Sequence, residues 1–115
     1  VSILLLCDDL LFGSKVTTTG RAYGIPVVVA RTPAAATAKA AAASCLIIDL
    51  HLTGLDLPQL LAEVRAAGVA RVIGFGSHVD VQTLKAARRA GCDAVMPKSQ
   101  FTAELETKLA EWAAR

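Results

Sequence analysis

Three aspartates and one lysine stand directly behind short apolar runs, and their chemistry is mutually consistent. Asp8 and Asp9 follow Ile3-Leu4-Leu5-Leu6-Cys7. Asp49 follows Cys45-Leu46-Ile47-Ile48. Gly76, Ser77 and His78 follow Arg71-Val72-Ile73-Gly74-Phe75, and Lys98 comes just after Ala94-Val95-Met96. Carboxylates brought to one place repel one another and call for a cation. Oxygen-only ligands suit Mg²⁺, which keeps several waters and takes few protein oxygens. A cation there would lower the charge around Asp49 and let that carboxylate attack an anionic phosphoryl group. Lys98 would neutralise a phosphoryl oxygen as a point charge. A hydroxyl such as Ser77 could bond to another oxygen and pass the new charge on to the surface, or serve as the N-cap of the helix that follows, or both.

The elements that position these residues are legible from the apolar pattern. Five runs recur, the four above and Pro26-Val27-Val28-Val29-Ala30. They are continuous rather than alternating, as strands covered on both faces are, and such strands belong to parallel sheets. Helical patterns fill the gaps. Leu57, Leu60, Leu61 and Val64 share one helix face, and Val81, Leu84, Ala87 and Ala90 share another, which Gly91 ends. Phe101, Leu105, Leu109 and Trp112 mark the last helix as core-facing, with Thr102 as its cap and Glu104 and Glu106 near its positive end. Residues 10–23 hold Gly13, Gly20 and three consecutive threonines, so that helix is weaker. Residues 33–43 are mostly alanine and predict a thin, lightly packed helix, with a low-complexity linker as the rival reading.

The alternation is (βα)₅. Right-handed crossovers then require an open five-stranded parallel sheet with helices on both faces, an α/β three-layer sandwich. Ligands of such folds bind beyond the carboxyl ends of the strands. That is the edge where the aspartates, the lysine and Ser77 fall.

Bulk properties agree and exclude several classes. The 115 residues suit one domain over 1–115, with 54% apolar and 19% charged residues. The net charge of +2 comes with no basic stripe, so nucleic-acid binding gains no support. No apolar run approaches the roughly 20 residues that span a bilayer. No signal-peptide pattern opens the chain, which starts on Val1 and reads as processed, trimmed or cut from something longer. Cys7, Cys45 and Cys92 are odd in number and form no CxxC, so a zinc site is not expected. Reduced cysteines fit a cytoplasmic setting.

Taken in order, Cys7-Asp8-Asp9, Ile47-Ile48-Asp49-Leu50, Phe75-Gly76-Ser77 and Met96-Pro97-Lys98 resemble the receiver domain of two-component response regulators. The resemblance covers essentially the whole chain. It implies a flavodoxin-like fold with strand order 2-1-3-4-5. It also implies Asp49 as phosphoacceptor, Asp8 and Asp9 with Asp49 as Mg²⁺ ligands, and the His51 backbone carbonyl as a further ligand. Lys98 matches the family's lysine, and Asp56 an acidic residue often found seven after the acceptor. A histidine kinase or phosphotransfer protein would donate the phosphoryl group, and small phosphodonors could replace it. The output would be a downstream partner, a homodimer, or an output domain, for which 115 residues leave no room. The only catalysis implied is self-phosphorylation and autodephosphorylation.

The departures concern the switch. Thr53 and Leu57 stand where the family usually has Pro and Gly. Counting back from Gly91 puts Gly76 at the place of the switch hydroxyl, with Ser77 one residue late. Ser99, not proline, follows Lys98, and aliphatic Val95 replaces the aromatic switch partner. A second reading therefore stands beside the first: a degenerate receiver that docks proteins without phosphotransfer. Three other readings are weaker. Asp49-Leu50-His51-Leu52-Thr53-Gly54 matches the DxHxxG of cobalamin-binding domains, but it follows the third strand and no Gly-Gly exists. Gly74-Phe75-Gly76 lacks the third glycine of a dinucleotide site. No GxSxG supports a hydrolase.

Overall fold

The computed structural model describes residues 2–114. The strands are β1 (Ser2–Leu6), β2 (Val27–Ala30), β3 (Ala43–Asp49), β4 (Arg71–Gly76) and β5 (Ala94–Pro97). The helices are α1 (Leu10–Ala22), α2 (Pro33–Lys39), α3 (Leu57–Ala66), α4 (Val81–Ala90) and α5 (Lys98–Ala113), and a 3₁₀ turn at Ala40–Ala42 extends α2. All strand pairs are parallel, in the order β2-β1-β3-β4-β5. The architecture is the expected α/β sandwich with the expected strand order.

The continuous apolar runs have a simple cause. Successive side chains of a strand face opposite ways, and both faces are covered. In β1, Leu4 and Leu6 join a core with Leu60, Leu61 and Val64 of α3 and Leu84 of α4. Ile3, Leu5 and the adjacent Cys7 join a second core with Phe12 and Val16 of α1 and Phe101, Leu105, Leu109 and Trp112 of α5. Phe101 stacks between Phe75 (4.9 Å) and Trp112 (5.4 Å), which fixes α5 against the sheet.

The alanine-rich segment is a helix and not a linker. Thr32 caps it, with its hydroxyl accepting from the Ala35 N–H, and Pro33 opens it. In α1, Gly20 is a packing requirement. A Cβ there would lie 2.6 Å from the Ile25 carbonyl oxygen, so the helix end can close onto the start of β2 only without a side chain.

Two expected caps are corrected. Helix α5 begins at Lys98, straight out of β5, with Pro97 at its N-cap position. Thr102 lies inside that helix, and its hydroxyl donates to the Lys98 carbonyl. Helix α4 is capped by Asp80, which accepts from the Thr83 N–H, and not by Ser77. Among the described residues, no helix is long and apolar enough to cross a membrane.

Candidate functional site

Strands β1, β3, β4 and β5 lie side by side, so the residues leaving their carboxyl ends share one edge. Asp8 and Asp9 leave β1, Asp49 ends β3, Gly76 ends β4 and Lys98 follows β5. The register pairs Asp49 with Phe75 and Gly76 with Pro97, which places the acceptor candidate inside the row.

Asp9 has two uses. Its Oδ1 accepts from the Phe12 N–H (3.0 Å) and caps α1. Its Oδ2 lies 4.0 Å from Lys98 Nζ, with both side chains about half exposed (47% and 49%), so the pair is solvent-screened and weak. Lys98 Nζ also sits 4.4 Å from the centroid of the Phe12 ring, a cation–π contact that holds the ammonium over the edge. Asp8 is exposed beside them.

Asp49 is half-buried. Its Oδ1 accepts from the His51 N–H (3.0 Å), which fixes the carboxylate's orientation. Its Oδ2 lies 4.0 Å from Cys7 Sγ. Burial pushes the Cys7 thiol up, a hydrogen bond with the Asp9 backbone opposes this, and the Asp49 carboxylate adds to the rise. Cys7 is therefore a neutral neighbour of Asp49 and not a competing nucleophile.

His51 takes part in this edge through its ring as well as its backbone. Its Nε2 accepts from the Ser77 N–H (2.9 Å), so the ring proton belongs on Nδ1, which faces Asp80 Oδ2 at 3.8 Å. Gly76 makes room for the ring. A Cβ at Gly76 would stand 3.0 Å from His51 Nε2 and 3.3 Å from Leu84 Cδ2. Gly76 thus remains the last residue of β4, and Ser77 lies one residue beyond, its hydroxyl accepting from the Val79 N–H at 3.4 Å. Asp56 caps α3 through the Gln59 N–H.

The edge therefore joins Asp9 to Lys98, and Asp49 to His51 and through it to Ser77. The roles of Phe12, Cys7, Asp80 and the His51 ring were missed in the sequence. Cys7 had a signal, being the last residue of the run before Asp8. The ring contact had none, because it crosses two loops.

Among the described residues, no three His, Cys, Asp or Glu side chains already converge as a metal cage. Mg²⁺ does not need one, since it binds through one or two carboxylates and keeps its waters. Asp8 and the oxygens Asp9 Oδ2 and Asp49 Oδ2 supply only hard oxygen donors, and that donor set fits a hydrated Mg²⁺.

No family model matches the sequence, and no curated protein matches it. Solved structures do. A putative response regulator from Chloroflexus aurantiacus superposes with a TM-score of 0.80 at 22% identity, over 99% of this chain and 98% of that one. The receiver domain of the sensor histidine kinase PA1611 from Pseudomonas aeruginosa, with a magnesium ion coordinated in its active site cleft, gives 0.78 at 21% identity, over 97% and 96%. A response regulator from Burkholderia pseudomallei with a phosphorylated aspartic acid, a calcium ion and citrate gives 0.74 at 22% identity, over 96% of this chain and 69% of that one. By this likeness the chain has the fold of response-regulator receiver domains.

Proposed function

We propose that residues 1–115 form a receiver module that accepts a phosphoryl group on Asp49. The observation that carries this reading is the position of Asp49 at the end of β3, between the acidic pair after β1 and Lys98 after β5. An Asp49 carboxylate oxygen attacks phosphorus, an O–P bond forms, and the donor's P–N bond breaks with its electron pair leaving on the imidazole nitrogen. From a small acyl phosphate, the departing group is a carboxylate. The His51 N–H holds Asp49 in one orientation for the attack. Lys98 sits within reach of the edge and takes up the charge of a phosphoryl oxygen. Asp8, Asp9 and Asp49 side chains with the His51 carbonyl would hold Mg²⁺, which when bound offsets the negative charge gathered there.

The donor is a histidine kinase or phosphotransfer protein. The recipient of the signal is a downstream protein, a second copy, or an output domain. A second reading, a docking module without phosphotransfer, is favoured by one observation. The His51 ring occupies the space over Gly76 where a switch hydroxyl would stand. Phosphorus NMR separates the two. With a small acyl-phosphate donor and MgCl₂, the first reading gives a protein-bound acyl-phosphate signal that hydroxylamine abolishes. Donor and inorganic phosphate signals alone would leave the docking reading.

A further inference from the structure

We propose that His51 is a latch that couples the state of the Asp49 carboxylate to the start of helix α4. Three contacts of this one residue carry the idea. Its backbone N–H donates to Asp49 Oδ1 (3.0 Å). Its ring Nε2 accepts from the Ser77 N–H (2.9 Å). Its Nδ1 faces Asp80 Oδ2 (3.8 Å), and Asp80 is the cap of α4, accepting from the Thr83 N–H and hydroxyl. Gly76 eases the fit of the ring, because a Cβ there would press on Nε2 at 3.0 Å and on Leu84 Cδ2 of α4 at 3.3 Å, and these atoms would have to give by a few tenths of an ångström. His51 and Thr83 also line the same groove between α3 and α4, of about 410 Å³.

The latch responds to charge at Asp49. As a carboxylate, Asp49 accepts strongly from the His51 N–H, and the loop is held with its ring on Ser77. Esterified to a phosphoryl group, the Asp49 carbonyl is a weaker acceptor, while the phosphoryl oxygens seek N–H donors nearby. The amides of His51 and Ser77 are the donors at that rim. The phosphoryl group and the imidazole then compete for the Ser77 N–H, and a ring displaced from Ser77 also leaves Asp80. Its use in signalling rests on the proposed role of Asp49; the mechanical coupling does not.

Amide NMR of the whole chain tests it as a cycle of Asp49→Ala, His51→Ala and the double variant. Asp49→Ala is expected to shift the amides of Ser77 and of Val81–Thr83. In the His51→Ala background the same change is expected to shift them by about a third as much or less. Hydrogen exchange at the Ser77 amide is expected to rise about fivefold in His51→Ala. His51→Gln, whose side-chain oxygen can accept the same bond, is expected to restore much of the protection. Asp49→Asn serves if Asp49→Ala does not fold. Equal shifts in both backgrounds, or unchanged Ser77 exchange, would overturn the latch. The phosphodonor arm separates the two proposals. An adduct on Asp49 that leaves Ser77 and α4 unmoved sinks the latch and leaves the acceptor standing. No adduct and no binding of Mg²⁺ with beryllofluoride, with coupling that still depends on His51, sinks the acceptor and leaves the latch.

Discussion

At the scale of single residues, the Asp9 carboxylate is placed to serve both the fold and the proposed chemistry. One oxygen caps α1 and the other faces Lys98. The two uses can be pulled apart. Asparagine caps as well as aspartate but carries no charge. Asp9→Asn is therefore expected to keep the thermal midpoint within a few degrees while slowing phosphoryl uptake by roughly tenfold or more. Asp9→Ala is expected to lose both, with about 1 kcal/mol less stability from the missing cap. Thermal unfolding and the rate of adduct formation check this, and equal loss of stability in both variants would contradict it. The residues of this edge were legible because each stands directly behind an apolar run. The His51 ring was not, because its partner Ser77 is remote in sequence and only the pairing of β3 with β4 brings the two loops together.

At the scale of elements, the carboxyl edge carries the candidate chemistry and the opposite edge carries ties between strands and helices. Arg65 of α3 donates to the carbonyls of Ala70 and Gly91 and to Asp93 Oδ2 (2.8 Å), and Asp93 also accepts from the Val72 N–H (2.7 Å). Burial works against ionisation of Asp93, but the Val72 N–H and the Arg65 guanidinium outweigh it and hold the carboxyl below its usual value of 3.8. A carboxyl with a depressed folded-state pKa stabilises the fold above its unfolded value, and the contribution fades as pH falls through the folded value. Asp93→Asn is thus expected to lower stability at pH 7 and to flatten its dependence on pH below about 4. Unfolding midpoints measured from pH 7 to pH 3 test this, and parallel wild-type and variant curves would contradict it. Helix α1 offers a second check. Gly20→Ala forces a Cβ against the Ile25 carbonyl, and the expected cost is about 1–3 kcal/mol despite alanine's better helix propensity. A neutral or stabilising result in denaturant unfolding would show that α1 and β2 can separate at that point.

Element existence was readable, but element starts were less so. Thr102 was expected to cap the last helix. The helix instead leaves β5 without a loop, because Pro97 supplies the extended backbone of an N-cap and needs no N–H there. Ser77 looked like a cap because it follows a strand. Asp80 wins because its carboxylate reaches both the N–H and the hydroxyl of Thr83. The alanine segment was ambiguous because alanine buries little area. Its packing is settled by Ala36 and Ala40, which are fully buried against β1 and β3 residues such as Leu4 and Leu46.

At the scale of the molecule, two cores on either side of one sheet hold four strand ends in a row, and that row is what the proposed chemistry needs. The strand order was legible from the run pattern together with the resemblance, and the likeness to solved receiver domains agrees with it. What the row does to a phosphoryl donor is a question of reactivity. Intact mass spectrometry after incubation with a small phosphodonor and Mg²⁺, beside Asp49→Asn and an EDTA control, addresses it most directly. The account predicts a single phosphoryl adduct on the wild-type chain, absent from Asp49→Asn and absent with EDTA. An unmodified wild type that also fails to bind Mg²⁺ with beryllofluoride, or an adduct that survives Asp49→Asn, would contradict it.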